Sequence, residues 1–266
     1  MMASMERTVR NYIASLYGKS VVIVAFLKRR TRWIALAWLA VILPLAAFRI
    51  AFPILPYTGL DDMIGVAAGY SLVAIAPIAG FLIARNAFLR RETLVQPRFR
   101  LALFGKWKRV DRRTARKLDG FGPVGFMASL IVGMMMNVVF RSGEYFLAIP
   151  AMGHAAPEWG QVMFWVMTAD LVVTSFFYMV CFAMALRTVP LFPRMLVFAW
   201  VMDIAMQLTI AQVVSGVADL PPNVAVALGN VLEGNVTKVL ISAAIWLPYL
   251  LLSDRVNLTY RHRVAA

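Results

Sequence analysis

The chain is poor in the residues on which most soluble chemistry depends. It has one cysteine, Cys181, so no internal disulfide can form and no cysteine cluster can hold zinc. It has two histidines, His154 and His262, and only 13 Asp+Glu in 266 residues. Several catalytic patterns are absent: the Gly-x-Ser-x-Gly elbow, His-Glu-x-x-His, Cys-x-x-Cys and a dinucleotide fingerprint. Gly18-Lys19-Ser20 resembles the end of a phosphate loop, but the glycine needed five positions earlier is Ile13. The reading is therefore of a chain that is not an enzyme and uses no cofactor or metal. Alternating period-2 stretches are missing too, which excludes a β-barrel.

Apolar residues and positive charge are abundant. The composition is 61% hydrophobic with a mean hydropathy of +0.74, yet 27 Lys+Arg give a net charge of +14. A basic nucleic-acid-binding domain keeps an ordinary apolar fraction, so this combination points to hydrocarbon and excludes nucleic acid as the partner. A helix needs about 20 apolar residues to cross a hydrocarbon core of about 30 Å. Six stretches qualify, at 33–55, 64–88, 122–141, 160–187, 195–217 and 230–252. The expected fold is all-α and polytopic, with six transmembrane helices.

The flanks orient it. Basic residues crowd 1–32 and 85–119, and Arg187, Arg194, Arg255, Arg261 and Arg263 border the remaining connections on the same side. The opposite loops carry Asp61, Asp62, Glu144, Glu158 and Asp219. By the positive-inside rule both termini are expected in the cytoplasm, in a bacterial inner membrane. Only Arg49, Arg141 and Lys238 fall outside this sorting.

Five regions follow: a basic amphipathic segment at 1–32, a transmembrane hairpin at 33–88, a basic amphipathic loop at 89–119, a four-helix domain at 120–255 and a basic tail at 256–266. In the first, Val9, Tyr12, Ile13, Leu16, Tyr17, Ile23, Val24 and Leu27 fall largely on one helical face, which suits an interfacial helix rather than a seventh span. In the loop, Pro97 opens an expected helix with Phe99, Leu103, Trp107 and Val110 on one face, among Arg and Lys. The expected partners are the bilayer with its anionic phospholipid headgroups, and a membrane protein docking on this basic surface.

Ionisable groups at membrane depth cost about 2.5–3.5 kcal/mol each on insertion scales, so each asks for a partner or a role. Gly125, Ser129, Gly133, Asn137 and Arg141 are spaced by four, as are Ala199, Asp203, Gln207, Ala211 and Ser215. Asp170 shares a face with Thr174 and Tyr178, and the last span offers Glu233 with Thr237, and Lys238 with Ser242 and Tyr249. Four polar stripes cannot all face lipid, so they are expected to converge, with Lys238 as counter-charge to Asp170, Asp203 or Glu233. Packing and transport are both compatible with such an interior. Gly65-x-x-x-Gly69 and Ala76-x-x-x-Gly80 mark a close-packing face, Pro44 and Pro248 mark kinks, and Arg49 is within snorkelling reach of the outer interface. His154 is expected beside Glu158 in an external loop. Two readings emerge. The first is an interaction, assembly or regulatory component of the membrane; the second is a small transporter or ion- or proton-coupled channel.

The C-terminal string Thr237–Tyr260 includes Ile245, Trp246, Pro248, Tyr249, Ser253, Arg255, Val256 and Thr259. It resembles the closing segment of a bacterial four-helix membrane family known as domain of unknown function 2569, whose members end with Ile-Trp-Ile-Pro-Tyr, Ser-Lys-Arg-Val and Thr-Phe. Phe192-Pro193-Arg194 and the glycine-rich 120–125 resemble other parts of that pattern; Asp254 and Tyr260 depart from it. The resemblance covers about 120–262 and implies a four-helix unit with no assigned activity. Read physically, Trp246 and Tyr249 suit a headgroup-level anchor.

Overall fold

The computed structural model describes residues 2–88, 96 and 105–266, with side chains of the first helix from 14 onward. Among these residues six helices are long and apolar enough to cross a bilayer: α2 (Thr31–Ala51), α3 (Leu60–Ala87), α5 (Phe126–Ala148), α6 (Glu158–Leu186), α7 (Phe192–Ser215) and α8 (Pro222–Leu252). They are preceded by α1 (Met2–Arg29) and accompanied by α4 (Arg112–Lys117) and α9 (Asp254–Arg261). Two short strands, β1 (Trp107–Arg109) and β2 (Arg263–Ala265), complete an all-α multi-pass architecture.

The most buried helix is α6, which packs on α3, α5 and α7. Its closest neighbour is α3, because the small residues of α3 let the two backbones meet. A side-chain carbon at Gly80 would stand 3.1 Å from the carbonyl carbon of Phe176, and one at Gly69 would stand 3.2 Å from the Phe164 ring. Gly65 has open space around it, so the close-packing face begins one turn later than the sequence motif. Outside this centre, α2 presents Trp33, Leu36, Val41, Leu43 and Phe48 outward and is tied to α3 by Trp38, whose indole donates to the carbonyl of Ala74 at 2.9 Å. α8 is also peripheral and packs chiefly on α7 and α9.

One end of the bundle is a basic platform. α1 turns into α2 at Arg30 and buries Ser20, Val24 and Leu27, while Leu16, Tyr17 and Ile23 stay exposed. The face that packs is thus narrower than the expected one; the side chains of Val9, Tyr12 and Ile13 lie outside the described residues. Ser20 accepts from Gly125 N at 2.7 Å, which anchors α1 to the start of α5. The expected helix through Pro97–Val110 is corrected where it can be seen. Trp107–Arg109 is a strand paired antiparallel with Arg263–Ala265, and only the following residues are helical. The tail supplies backbone partners that a solvent-facing helix would have lacked, and the aromatic Trp107 suits a pleated surface. Pro97, Phe99 and Leu103 lie outside the described residues.

Nor is 256–266 a loose tail. α9 buries Val256, Asn257, Leu258, Thr259 and Tyr260 across the ends of α6 and α7. Thr259 Oγ1 accepts from Gly122 N at 3.0 Å, and the Tyr260 hydroxyl donates to the carbonyl of Ala185 at 3.0 Å.

At the opposite end Asp62 is buried and ties two loops. It accepts from the amide and hydroxyl of Thr58 at 3.1 and 3.2 Å and from the amide of His154 at 2.8 Å, with His154 Nδ1 at 3.2 Å. The partner of His154 is therefore Asp62 and not Glu158. Arg49 does more than snorkel: Nε donates to the carbonyl of Phe146 at 2.8 Å and Nη2 to those of Phe146 and Leu147, where the negative end of the α5 dipole attracts a cation.

Candidate functional site: a buried charge cluster between α5 and α8

Three ionised side chains from three helices meet inside the bundle. Arg141 of α5 donates from Nη1 to Asp203 Oδ1 at 2.7 Å and from Nη2 to Asp170 Oδ2 at 3.0 Å. The residues are 8%, 0% and 3% exposed, respectively. The second oxygen of each carboxylate is also occupied. The Tyr178 hydroxyl donates to Asp203 Oδ2 at 2.8 Å, and Gln207 Nε2 donates to Asp170 Oδ1 at 2.9 Å. Asn235 of α8 closes the chain, its Nδ2 donating to Gln207 Oε1 at 3.1 Å. One guanidinium against two carboxylates leaves a formal charge of −1 at membrane depth, held by hydrogen bonds to every carboxylate oxygen.

The local sequence explains why these side chains converge. In α7 the apolar positions Leu196, Ala199, Trp200, Ile210 and Val214 are buried, and Asp203 and Gln207 fall on that same face. In α8 the buried stripe is Leu228, Leu232, Asn235 and Val239. In α5 it includes Met134, Val138, Arg141 and Tyr145.

A strict spacing of four drifts about 40° per step around a helix of 3.6 residues per turn, so the stripes read at that spacing rotate out of the core. Ser129, Ala211 and Ser215 are accordingly exposed, and Asn137 sits at the edge, lining a cavity. Thr174, on the Asp170 face as expected, is buried and donates back to the Asp170 carbonyl at 2.7 Å.

The expected counter-charge is corrected. Lys238 sits just off the buried stripe of α8 and pairs with Glu144 of α5 at 2.8 Å, both side chains more than half exposed. Glu233, over a turn further toward the acidic end, faces outward and joins none of these groups. Arg141 supplies the positive charge in their place. Asn235 is the member that the sequence reading passed over; its position within the apolar i, i+4, i+7, i+11 stripe of α8 was the signal.

Two cavities flank the cluster. One, of about 170 Å³, lies toward the basic platform and is lined by Gly133, Asn137, Tyr178, Asp203, Ser242 and Trp246 among others. The other, of about 350 Å³, lies toward the acidic end and is lined by Glu144, Tyr145, Asp170, Asn230 and Gly234 among others. Arg141, Asn235 and Lys238 line both. The cleft runs between α5 and α8 and is crossed at two levels. Toward the platform, Phe126 meets Trp246 and Tyr249 with ring centroids 4.5 and 5.0 Å apart. Beside the cluster, the Lys238–Glu144 pair crosses the gap, and the larger cavity continues past it toward Ala148 and Asn230.

The remaining motif residues are structural in placement. Pro248 lies inside α8, Ser253 separates α8 from α9, Val256 and Thr259 are buried, and Arg255 lies 5.3 Å over the Tyr17 ring. Among the described residues no three His, Cys, Asp or Glu side chains are grouped to hold a metal ion. Comparison of the chain with protein families, curated proteins and solved structures finds no match.

Proposed function

We propose that this chain is a multi-pass protein of the bacterial cytoplasmic membrane that passes protons or a small cation along the α5–α8 cleft. Asp170 and Asp203 take up the moving charge, and Arg141 is the fixed partner that keeps them ionised. The supporting observation is that Asp203 lines one cavity and Asp170 the other, while Arg141, bonded to both aspartates, lines the two. A charge-neutral packing motif would not need space on both sides. Protonating one aspartate would leave Arg141 balanced by the other, so a proton could enter from one cavity and leave by the other without stranding a charge in hydrocarbon. The one-sided distribution of Lys and Arg favours termini in the cytoplasm.

The test is flux in proteoliposomes under an imposed pH gradient, read with an internal pH dye. Wild type is expected to dissipate the gradient, and Asp170→Asn and Asp203→Asn are expected to slow it at least tenfold. Flux unchanged in both variants would remove the assigned roles.

A second reading has its own support. The ordered basic platform of α1, α4, α9 and the β1–β2 ladder favours an interaction, assembly or regulatory component of the membrane that docks a protein partner there. Chemical crosslinking in native membranes should then recover a stoichiometric partner through platform lysines such as Lys106 and Lys108. Neither reading assigns the chain a catalytic residue or a cofactor.

A further inference from the structure

Polar side chains form a lane along the α5–α8 cleft. α5 packs chiefly on α6 and α8 on α7, so the two helices stand as the rims of the cleft. On α8 its lining includes Asn230, Gly234, Lys238 and Ser242, spaced by four. On α5 it includes Gly133, Asn137, Arg141 and, most of a turn further on, Glu144. At about 1.5 Å per residue, the stretch from Asn230 to Ser242 covers about 18 Å, more than half of a hydrocarbon core of about 30 Å.

Three features set the lane apart from a surface covered by acyl chains. Both side chains of the Lys238–Glu144 pair are more than half exposed, although Lys238 stands near the middle of α8 and ionised groups at membrane depth are costly. Asn137, Asn230 and Ser242 make no hydrogen bond among the described residues. By contrast Ser71, Ser129 and Thr209, exposed on other faces, each donate to a carbonyl of their own helix. Lastly, a side-chain carbon added at Gly133 or Gly234 would meet nothing within 4 Å, so there is room beside the polar groups.

Acyl chains offer these groups no partner, whereas a lipid headgroup does. A zwitterionic headgroup carries one phosphodiester and one ammonium, the complement of one Lys and one Glu. Its zero net charge adds nothing to the cluster of Arg141, Asp170 and Asp203 alongside.

We propose that the lane conducts phospholipid headgroups of the phosphoethanolamine class between the two leaflets, with the tails left in the bilayer. Lys238 takes the phosphodiester and Glu144 the ammonium, while Asn137, Asn230 and Ser242 replace headgroup water on either side of that pair. The transfer needs no pH gradient and no proton on Asp170 or Asp203, so it stands or falls separately from the charge-passing reading of the same cleft.

The experiment reconstitutes full-length protein in phosphatidylcholine vesicles, without a pH gradient. The vesicles contain a trace of phosphatidylethanolamine or phosphatidylglycerol labelled with nitrobenzoxadiazole on one acyl chain. Dithionite destroys the label in the outer leaflet alone, so loss beyond the outer-leaflet share reports crossing. Wild type is expected to bring all the labelled phosphatidylethanolamine within reach, and to move it faster than phosphatidylglycerol, which has no ammonium. Lys238→Gln should slow both lipids about tenfold, and Glu144→Gln should slow phosphatidylethanolamine alone by about that factor. Because removing one charge strands the other, the glycines carry the test. Gly133→Leu and Gly234→Leu obstruct the lane where space exists for the new side chain, and should slow crossing at least tenfold with the thermal midpoint in detergent kept. Gly65→Leu, equally open but on α3, should cross lipid like wild type. Loss of the outer-leaflet share alone with wild type, or equal rates in wild type and both lane variants, overturns the proposal. So does a dimer in detergent that Gly133→Leu and Gly234→Leu dissociate, which would make the lane an interface with a second copy.

Discussion

Arg141 is the residue on which the interior depends. Among the described residues it is the one positive charge bonded to two buried aspartates, and its removal would leave those carboxylates without a counter-charge. Breaking a buried ion pair by deleting one partner costs about 3–5 kcal/mol, because the other charge stays buried. Arg141→Gln should therefore destabilise the protein by that order, seen as a lower thermal midpoint in detergent and a lower membrane yield. The double change of Asp170 and Asp203 to Asn in the same background should recover much of the loss, since no unpaired charge then remains. Equal stability of Arg141→Gln and wild type would mean that the cluster is solvated and not the dry network described above. That a charged group belonged at 141, 170 and 203 was legible in the sequence from depth alone. Which cation answered the aspartates was not. Depth along a helix follows from residue number, but direction around the axis depends on which face is buried, and one residue of offset turned Lys238 away toward Glu144.

Among the elements, the α3–α6 contact shows how directly composition sets geometry. Both Gly65 and Gly80 lie in the small-residue pattern of α3, yet only Gly80 touches a neighbouring backbone. Gly80→Ala places a methyl group against the carbonyl of Phe176, which cannot yield as a side chain would. Overpacking of this kind costs about 1–3 kcal/mol. Gly65→Ala meets open space and should be neutral or stabilising by about 0.5–1 kcal/mol, through reduced freedom of the unfolded chain. Thermal midpoints of the two variants in the same detergent should move in opposite directions; movement together would contradict the close approach.

The six spans were readable to within a turn or so at most ends, because an apolar run of this length has few alternatives in hydrocarbon. The β1–β2 ladder was not readable. Each strand is three residues long and is stabilised by a partner more than 150 positions away, a pairing that leaves no mark in either local pattern. For the same reason α9 resembled a charged tail until its contacts with Gly122 and Ala185 supplied the reason for burying Thr259 and Tyr260.

For the molecule as a whole, the cleft is crossed by two unlike contacts, one at its platform end and one beside the charge cluster. The aromatic closure joins Phe126 to Trp246 and Tyr249, while the polar closure is a single ion pair whose side chains are 55% and 51% exposed. Exposed pairs contribute about 0–1 kcal/mol, so the polar crossing should open readily, whereas the packed rings must lose buried area to part. A protein that moved charge by alternating access would open these two crossings in turn, never both together, and holding either one shut would stop it. Cys181 is buried, and replacing it with Ser provides a background without reactive thiols. In that background, the pairs Glu144→Cys with Lys238→Cys and Phe126→Cys with Tyr249→Cys can be bridged by a short bifunctional thiol reagent. Bridging either pair should cut proteoliposome flux at least tenfold, and a reductant that cleaves the bridge should restore it. The unbridged Glu144→Cys/Lys238→Cys protein should retain flux, since the ion pair crosses the cleft but takes up none of the moving charge. Full flux with both crossings bridged would place the path outside the α5–α8 cleft and leave the Arg141 cluster as a packing device; block by one bridge alone would show that only that crossing opens during transport.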